Sequence, residues 1–228
     1  MSVFRKARMG FCLLVLAALP ASAQNLWLEP DPIAPGAKES VSVHLFLGDR
    51  FAGEERAIDR SKVVTFQRLR KNGRENLPRE NGASPVATYV SGDDGVEIVA
   101  LTWSGPTGQY YCKSIQVVGN AEPGHPLRYS ELGQRLEIVP QTDPVLLARN
   151  GGRLEVQVLF EREPLAGVNL LAMPKHEPME GRATAITDEI GVASLELSRG
   201  GPWLIQVAYK TRKKERFKST LVLVAGHP

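Results

Sequence analysis

Cysteine is nearly absent from this chain: 228 residues contain two, Cys12 and Cys112. Histidine is almost as sparse, with four. No apolar run reaches the roughly 20 residues a membrane-spanning helix needs. No stretch of ten or more residues shows convincing helical spacing. Hydrolase signatures are missing as well, with no G-x-S-x-G elbow and no H-E-x-x-H. His176-Glu177 runs into Pro178, which cannot sit inside a zinc-binding helix. There is no phosphate-cradling glycine loop and no dinucleotide fingerprint. These absences remove the positive case for catalysis, and the chain reads as non-enzymatic.

What is present begins with an export signal. Arg5, Lys6 and Arg8 precede an apolar run from Phe11 to Leu19, and Pro20-Ala21-Ser22-Ala23 follows with small residues where a signal peptidase reads. A basic start, a short apolar middle and an A-x-A end form the signal-peptide pattern. Residues 1–23 are therefore expected to be cleaved before Gln24, giving a periplasmic or secreted protein. The formal net charge is +3. Loss of the three basic residues brings it to zero, so nothing calls for nucleic acid as a partner. Cys12 leaves with the signal, which excludes an intramolecular disulfide. Cys112 lies in a strand-like stretch, where a buried, inert thiol is expected rather than a reactive one.

Beyond residue 24 the dominant signal is alternation, the mark of strands with one buried face. Leu154, Val156, Val158 and Phe160 alternate with polar neighbours, as do Ala193, Leu195 and Leu197. Trp203, Ile205, Val207 and Tyr209 alternate with Leu204, Gln206, Ala208 and Lys210, and Phe217, Leu221 and Leu223 continue the pattern after a basic turn. In the first half, Val41, Val43 and Leu45 alternate, and strands are expected over Val63–Leu69, Val96–Leu101 and Tyr110–Val118. Lys71-Asn72-Gly73-Arg74 is a hairpin signal. Asp188-Glu189-Ile190-Gly191 reads as a tight turn. Such spacing predicts an all-β protein of two antiparallel β-sandwich domains, immunoglobulin-like or transthyretin-like. The first would span 24–118 and the second 134–228. Residues 119–133, with Pro123, Gly124 and Pro126, show no pattern and are expected to link them.

Two clusters suit binding. Met173, His176, Glu177 and Met179 bring thioethers, an imidazole and a carboxylate into one loop, a set that suits a soft or borderline ion such as copper. The alternative is a polar loop between strands, with Met173 packed at a strand end. Lys210, Arg212, Lys213, Lys214 and Arg216 lie between two strands, followed by Lys218. They suit anionic lipid or another negatively charged partner. The alternative is a solvated hairpin tip that discourages edge pairing. His44 sits among alternating strand residues and reads as a sheet-surface histidine.

The chain also resembles a known family. The segments that carry the resemblance are Asn25-Leu26-Trp27-Leu28-Glu29-Pro30, then Val43-His44-Leu45-Phe46-Leu47-Gly48-Asp49-Arg50-Phe51-Ala52-Gly53-Glu54, then Leu136 to Pro140 with Asp143-Pro144. Thr187 to Gly191 and Gly201-Pro202-Trp203-Leu204 complete them. They resemble a bacterial domain of unknown function often described as the periplasmic component of a nickel or cobalt uptake system. The last third also resembles a transthyretin-like sandwich of the carboxypeptidase-regulatory type. The first resemblance implies a nickel, cobalt or copper ion as cargo and a membrane metal-uptake complex as partner. The other reading is a module that binds an envelope protein or a glycan and has no metal role. Family members often open with His-Asp, a good metal chelate. Here Gln24 and Asn25 stand in those places, and neither is a good transition-metal ligand.

Overall fold

A computed structural model describes residues 24–49, 51–125, 131–175 and 181–227. The described residues form sixteen strands and one short α-helix. The strands of the first half are β1 (Asn25–Asp31), β2 (Ser40–Asp49), β3 (Ala52–Glu55), β4 (Val63–Arg70), β5 (Gly73–Asn76), β6 (Ala87–Val90), β7 (Gly95–Gly105) and β8 (Gly108–Val118). Those of the second half are β9 (Leu136–Pro140), β10 (Gly152–Phe160), β11 (Glu163–Pro164), β12 (Asn169–Pro174), β13 (Ala183–Ile186), β14 (Val192–Leu197), β15 (Gly201–Lys210) and β16 (Arg216–Ala225). The helix, α1 (Pro144–Asn150), starts where Asp143 accepts a hydrogen bond from the Val145 amide and Pro144 opens the first turn. Both are helix-start signals. Gly151 ends it after seven residues, too few for helical periodicity to be read in the sequence.

The all-β sandwich expected from alternation is present. Its layering follows from which strands are buried on both faces. An eight-stranded sheet in the order β13-β12-β15-β16-β8-β7-β4-β5 forms the middle layer. From β7, Val96, Ile98 and Ala100 share a core with Ile138, Leu154, Val156 and Leu195 of the second half. Val99 and Leu101 point the other way and meet Leu28, Val41, Val43 and Leu45. A sheet of β1, β2, β3 and β6 thus covers one face, and a sheet of β9, β10, β11 and β14 covers the other.

The two halves do not keep separate sheets. Strand β8 of the first half pairs in parallel with β16 of the second, from Gln109 opposite Phe217 to Ser114 opposite Val222. This crosses the 119–133 segment expected to separate two sandwiches. It is the one parallel pairing among the described strands. Local alternation cannot announce it, because a parallel partner comes from far along the chain. Gly108 lets the seam close. Its φ is +144°, and a Cβ there would fall 2.4 Å from the Arg216 carbonyl oxygen. Strand β1 lies over the same seam: the Leu26 carbonyl accepts from the Cys112 thiol at 3.2 Å and from the Thr220 hydroxyl at 2.8 Å.

Burial on both faces leaves polar side chains inside, and the charged ones Arg68, Glu97, Lys113 and Glu137 are tied into two knots. Arg68 gives two hydrogen bonds to the Glu97 carboxylate, at 3.0 and 2.8 Å, and stacks 4.0 Å from the Tyr89 ring centroid. Lys113 donates to Glu137 at 2.6 Å, and Glu137 also accepts from the amides of Leu132, Gly133 and Gln134. The second knot ties the 131–134 chain to the middle sheet.

Candidate functional site

Strands β15 and β16 pair over ten residues, from Gly201 opposite Ala225 to Lys210 opposite Arg216. Their tip is closed by Thr211, whose amide donates to the Glu215 carbonyl at 3.0 Å, while the Lys214 amide donates to the Thr211 carbonyl at 2.9 Å. Lys214 takes a left-handed φ of 66° there. Lys210, Arg212, Lys213, Lys214 and Arg216 are all exposed. The structure therefore gathers the five predicted basic residues at one tip. Lys210 and Arg216 are direct cross-strand partners, a like-charge pairing that works against sheet stability.

Lys218 continues the basic line down β16, but it is half-buried. Its ammonium donates to the Gln24 carbonyl at 2.6 Å and lies 5.5 Å from the Tyr110 ring centroid. Burial, then Arg216, pulls its pKa below the ordinary lysine value. Gln24 and Tyr110 both line a cavity of about 370 Å³. Leu26 and Leu47 also line it, with Trp103 and the Gly105-Pro106-Thr107 turn between β7 and β8. Arg56, Asp59 and Lys62 add charged groups to the lining. Lys62 lies 5.8 Å from the Trp103 ring centroid and 2.9 Å from Asp59. The Asp59 carboxyl is held down to about 2, first by the Ser61 hydroxyl and then by Lys62. Tyr110 and Thr107 share a hydroxyl–hydroxyl hydrogen bond of 2.7 Å. Trp103 was not among the predicted site residues. Its one sequence cue is an aromatic two residues before a Gly-Pro turn.

The second predicted cluster is divided. Met173 is buried, 1% exposed, and packs with Trp27, Phe51, Leu204 and Val222. His176, Glu177 and Met179 lie outside the described residues. Among the described residues no group of three His, Cys, Asp or Glu side chains is placed to hold a metal ion. His44 stands on the surface of β2, as expected, and meets Glu55 at 2.8 Å. The Ser84 hydroxyl, ahead of His44, lowers the Glu55 carboxyl below its ordinary value. Lys175 forms an ion pair with Glu29 beside them.

Cys112 is fully buried, and burial pushes its thiol up to about 12. The thiolate is the reactive form, so almost none exists at pH 8. A thiol reagent at that pH is expected to label Cys112 only at the rate of unfolding. Mass spectrometry of the folded protein would check this, and prompt stoichiometric labelling would refute it.

No helix among the described residues is long and apolar enough to cross a membrane. No curated protein matches the chain in sequence. Three solved structures show what the fold is similar to. A 1.5-MDa bacterial ice-binding adhesin gives TM-score 0.30 at 10% identity, over 90% of this chain and 65% of that one. The D0-D1 domain of Intimin gives 0.26 at 12%, over 87% of this chain and 97% of that one. Fibronectin(III)-like modules of Clostridium thermocellum CbhA give 0.26 at 9%, over 88% and 94%. Scores this low carry nothing about role. The chain thus spans just under two thirds of the first of these. Sequence is firmer: the model of the domain of unknown function DUF4198 matches residues 21–211, most of the chain, and the protein belongs to that family.

Proposed function

We propose that this protein is a non-enzymatic module of the bacterial cell envelope, exported by residues 1–23, that binds a negatively charged partner through the β15–β16 tip. The observation that carries the reading is Lys210 directly opposite Arg216, with Arg212, Lys213 and Lys214 exposed at the turn between them. Folding gains nothing from that arrangement. An anionic partner turns the mutual repulsion into attraction. The chain after residue 23 is formally neutral, so attraction to a polyanion has to come from a local patch rather than from overall charge.

Retention on immobilised polyglutamate tests this. The protein from Gln24 onward is expected to bind at about 50 mM salt and to elute as salt screens the contact. The double substitution Lys213→Glu, Lys214→Glu is expected to weaken binding at least about tenfold while leaving thermal unfolding nearly unchanged, since both side chains are exposed. Wild-type protein that flows through, or a variant that binds equally well, would sink the reading. The metal-uptake reading makes a different prediction: micromolar one-to-one binding of nickel, cobalt or copper, lost on His176→Ala. On the reading proposed here, calorimetric titration with those ions gives no such binding.

A further inference from the structure

We infer that the cavity beside Lys218 is a subsite for one carboxylated pyranose unit, and that the anionic partner is an acidic polysaccharide. The inference rests on the proposed function and names the partner's chemistry.

The cavity, at about 370 Å³, falls within the range of small-ligand sites. Its lining divides by chemistry. Trp103, Leu26 and Leu47 give an apolar wall. Gln24, Arg56, Asp59 and Lys62 add planar or charged hydrogen-bonding groups to the same lining, with the Lys62 ammonium 5.8 Å from the Trp103 ring centroid. A pyranose ring has the matching division. One face presents C–H bonds, which suit the negative face of an indole. Its rim presents hydroxyls that both donate and accept, and those suit an amide, a carboxylate and a guanidinium placed together.

Charge selects among sugars. Arg56 and Lys62 are paired with Glu54 and Asp59 at 2.8 and 2.9 Å. Exposed pairs of this kind are worth little, so a ligand carboxylate can replace a protein one on Arg56 at small cost. A guanidinium holds a carboxylate with two parallel bonds. Lys218, outside the lining, places a third positive charge next to it, 5.5 Å from the Tyr110 ring centroid.

Geometry then extends the site. Lys218 touches the cavity lining through Gln24 and Tyr110. Two residues up β16, Arg216 lies against Gly108 and begins the basic tip. A polymer with one unit in the cavity has a line of cations, Lys218, Arg216 and then Lys214 and Lys213, along which its next carboxylates can lie. A folded acidic protein has no comparable sugar ring for Trp103.

The test is fluorescence and calorimetric titration with a galacturonate hexamer, a neutral maltohexaose and polyglutamate. Of the three tryptophans, Trp27 and Trp203 are 1% and 0% exposed, so a ligand-dependent emission change reports Trp103. The expected result is saturable hexagalacturonate binding that shifts the emission, with maltohexaose at least about tenfold weaker. Trp103→Ala is expected to weaken hexagalacturonate at least about tenfold and to leave polyglutamate retention unchanged. Arg56→Ser, on an exposed side chain, is expected to leave thermal unfolding nearly unchanged and to weaken hexagalacturonate binding several-fold. Galacturonate binding that ignores Trp103 and Arg56, yet falls on charge reversal at Lys213 and Lys214, would overturn the subsite and leave the proposed function intact. Equal affinity for maltohexaose would overturn it as well. Failure of both polyanions to bind would overturn both readings.

Discussion

Glu137→Ala is expected to cost about 3–5 kcal/mol of folding stability, the range for breaking a buried ion pair from one side. The carboxylate is fully buried, takes the Lys113 ammonium at 2.6 Å, and accepts three consecutive backbone amides from residues 132–134. Its removal leaves a buried cation and three unanswered donors. Domain stabilities are usually about 5–15 kcal/mol in all, so the loss is a large fraction. Urea denaturation should show a lower midpoint at unchanged slope. An unchanged midpoint would mean that the knot contributes nothing.

The pH dependence of that variant has a definite sign. Burial already lowers the Lys113 pKa, and Glu137 opposes the lowering. Without Glu137 the folded-state value falls further below the unfolded value of about 10.4. A depressed folded value gives stability that is present above the unfolded pKa and lost as pH falls through the folded one. The variant should therefore regain stability as pH rises toward 10 and lose more as pH falls. Replacing both partners, Lys113→Met with Glu137→Met, is expected to recover part of the loss. Recovery stays partial because the three amides still lack their acceptor.

Trp27→Ala is expected to cost about 3–5 kcal/mol, as deletion of a buried tryptophan does. The ring is 1% exposed. It stacks on Phe46 at 5.7 Å between centroids and meets Phe51 edge-on at 5.9 Å. On its other side it packs with Met173, Leu204 and Val222 of the middle sheet. It thus fastens β1 and β2 to the half of that sheet contributed by the end of the chain. Gly53 leaves room for it, since a Cβ there would lie 2.6 Å from the indole. Calorimetric unfolding checks the magnitude. Trp27→Phe should be much milder, because the indole N–H has no hydrogen-bond partner among the described residues and a buried unmet donor is itself a cost. Equal losses for the two substitutions would refute this account.

The same packing gives Met173 a structural task. Its thioether helps fill the space beneath Trp27 rather than pointing to solvent.

How much of this was legible in the sequence depends on distance along the chain. Alternation in Leu154–Phe160, Ala193–Leu197, Trp203–Tyr209 and Val41–Leu45 is a local signal, and each stretch is a strand. The Lys71-Asn72 turn between β4 and β5 and the basic tip between β15 and β16 follow from residues a few positions apart. So does the burial of Cys112 within a strand. The short helix leaves no periodic trace, because seven residues give periodicity too little length, although its Asp143 cap and Pro144 start stand in the sequence.

By itself, then, the amino-acid sequence determined the positions of eight of the sixteen strands, two of the turns, the all-β class and the gathering of five cations at one hairpin. These follow from side-chain period and from turn chemistry between near neighbours. Only the tertiary structure decided that β8 and β16 pair in parallel, that one sheet runs through both halves, and that Trp103, Arg56 and Lys62 border one cavity. Those contacts join residues up to about a hundred or more positions apart. Their register depends on close approach at Gly108 and on burial of both faces of the middle sheet, neither of which leaves a periodic trace in any one segment.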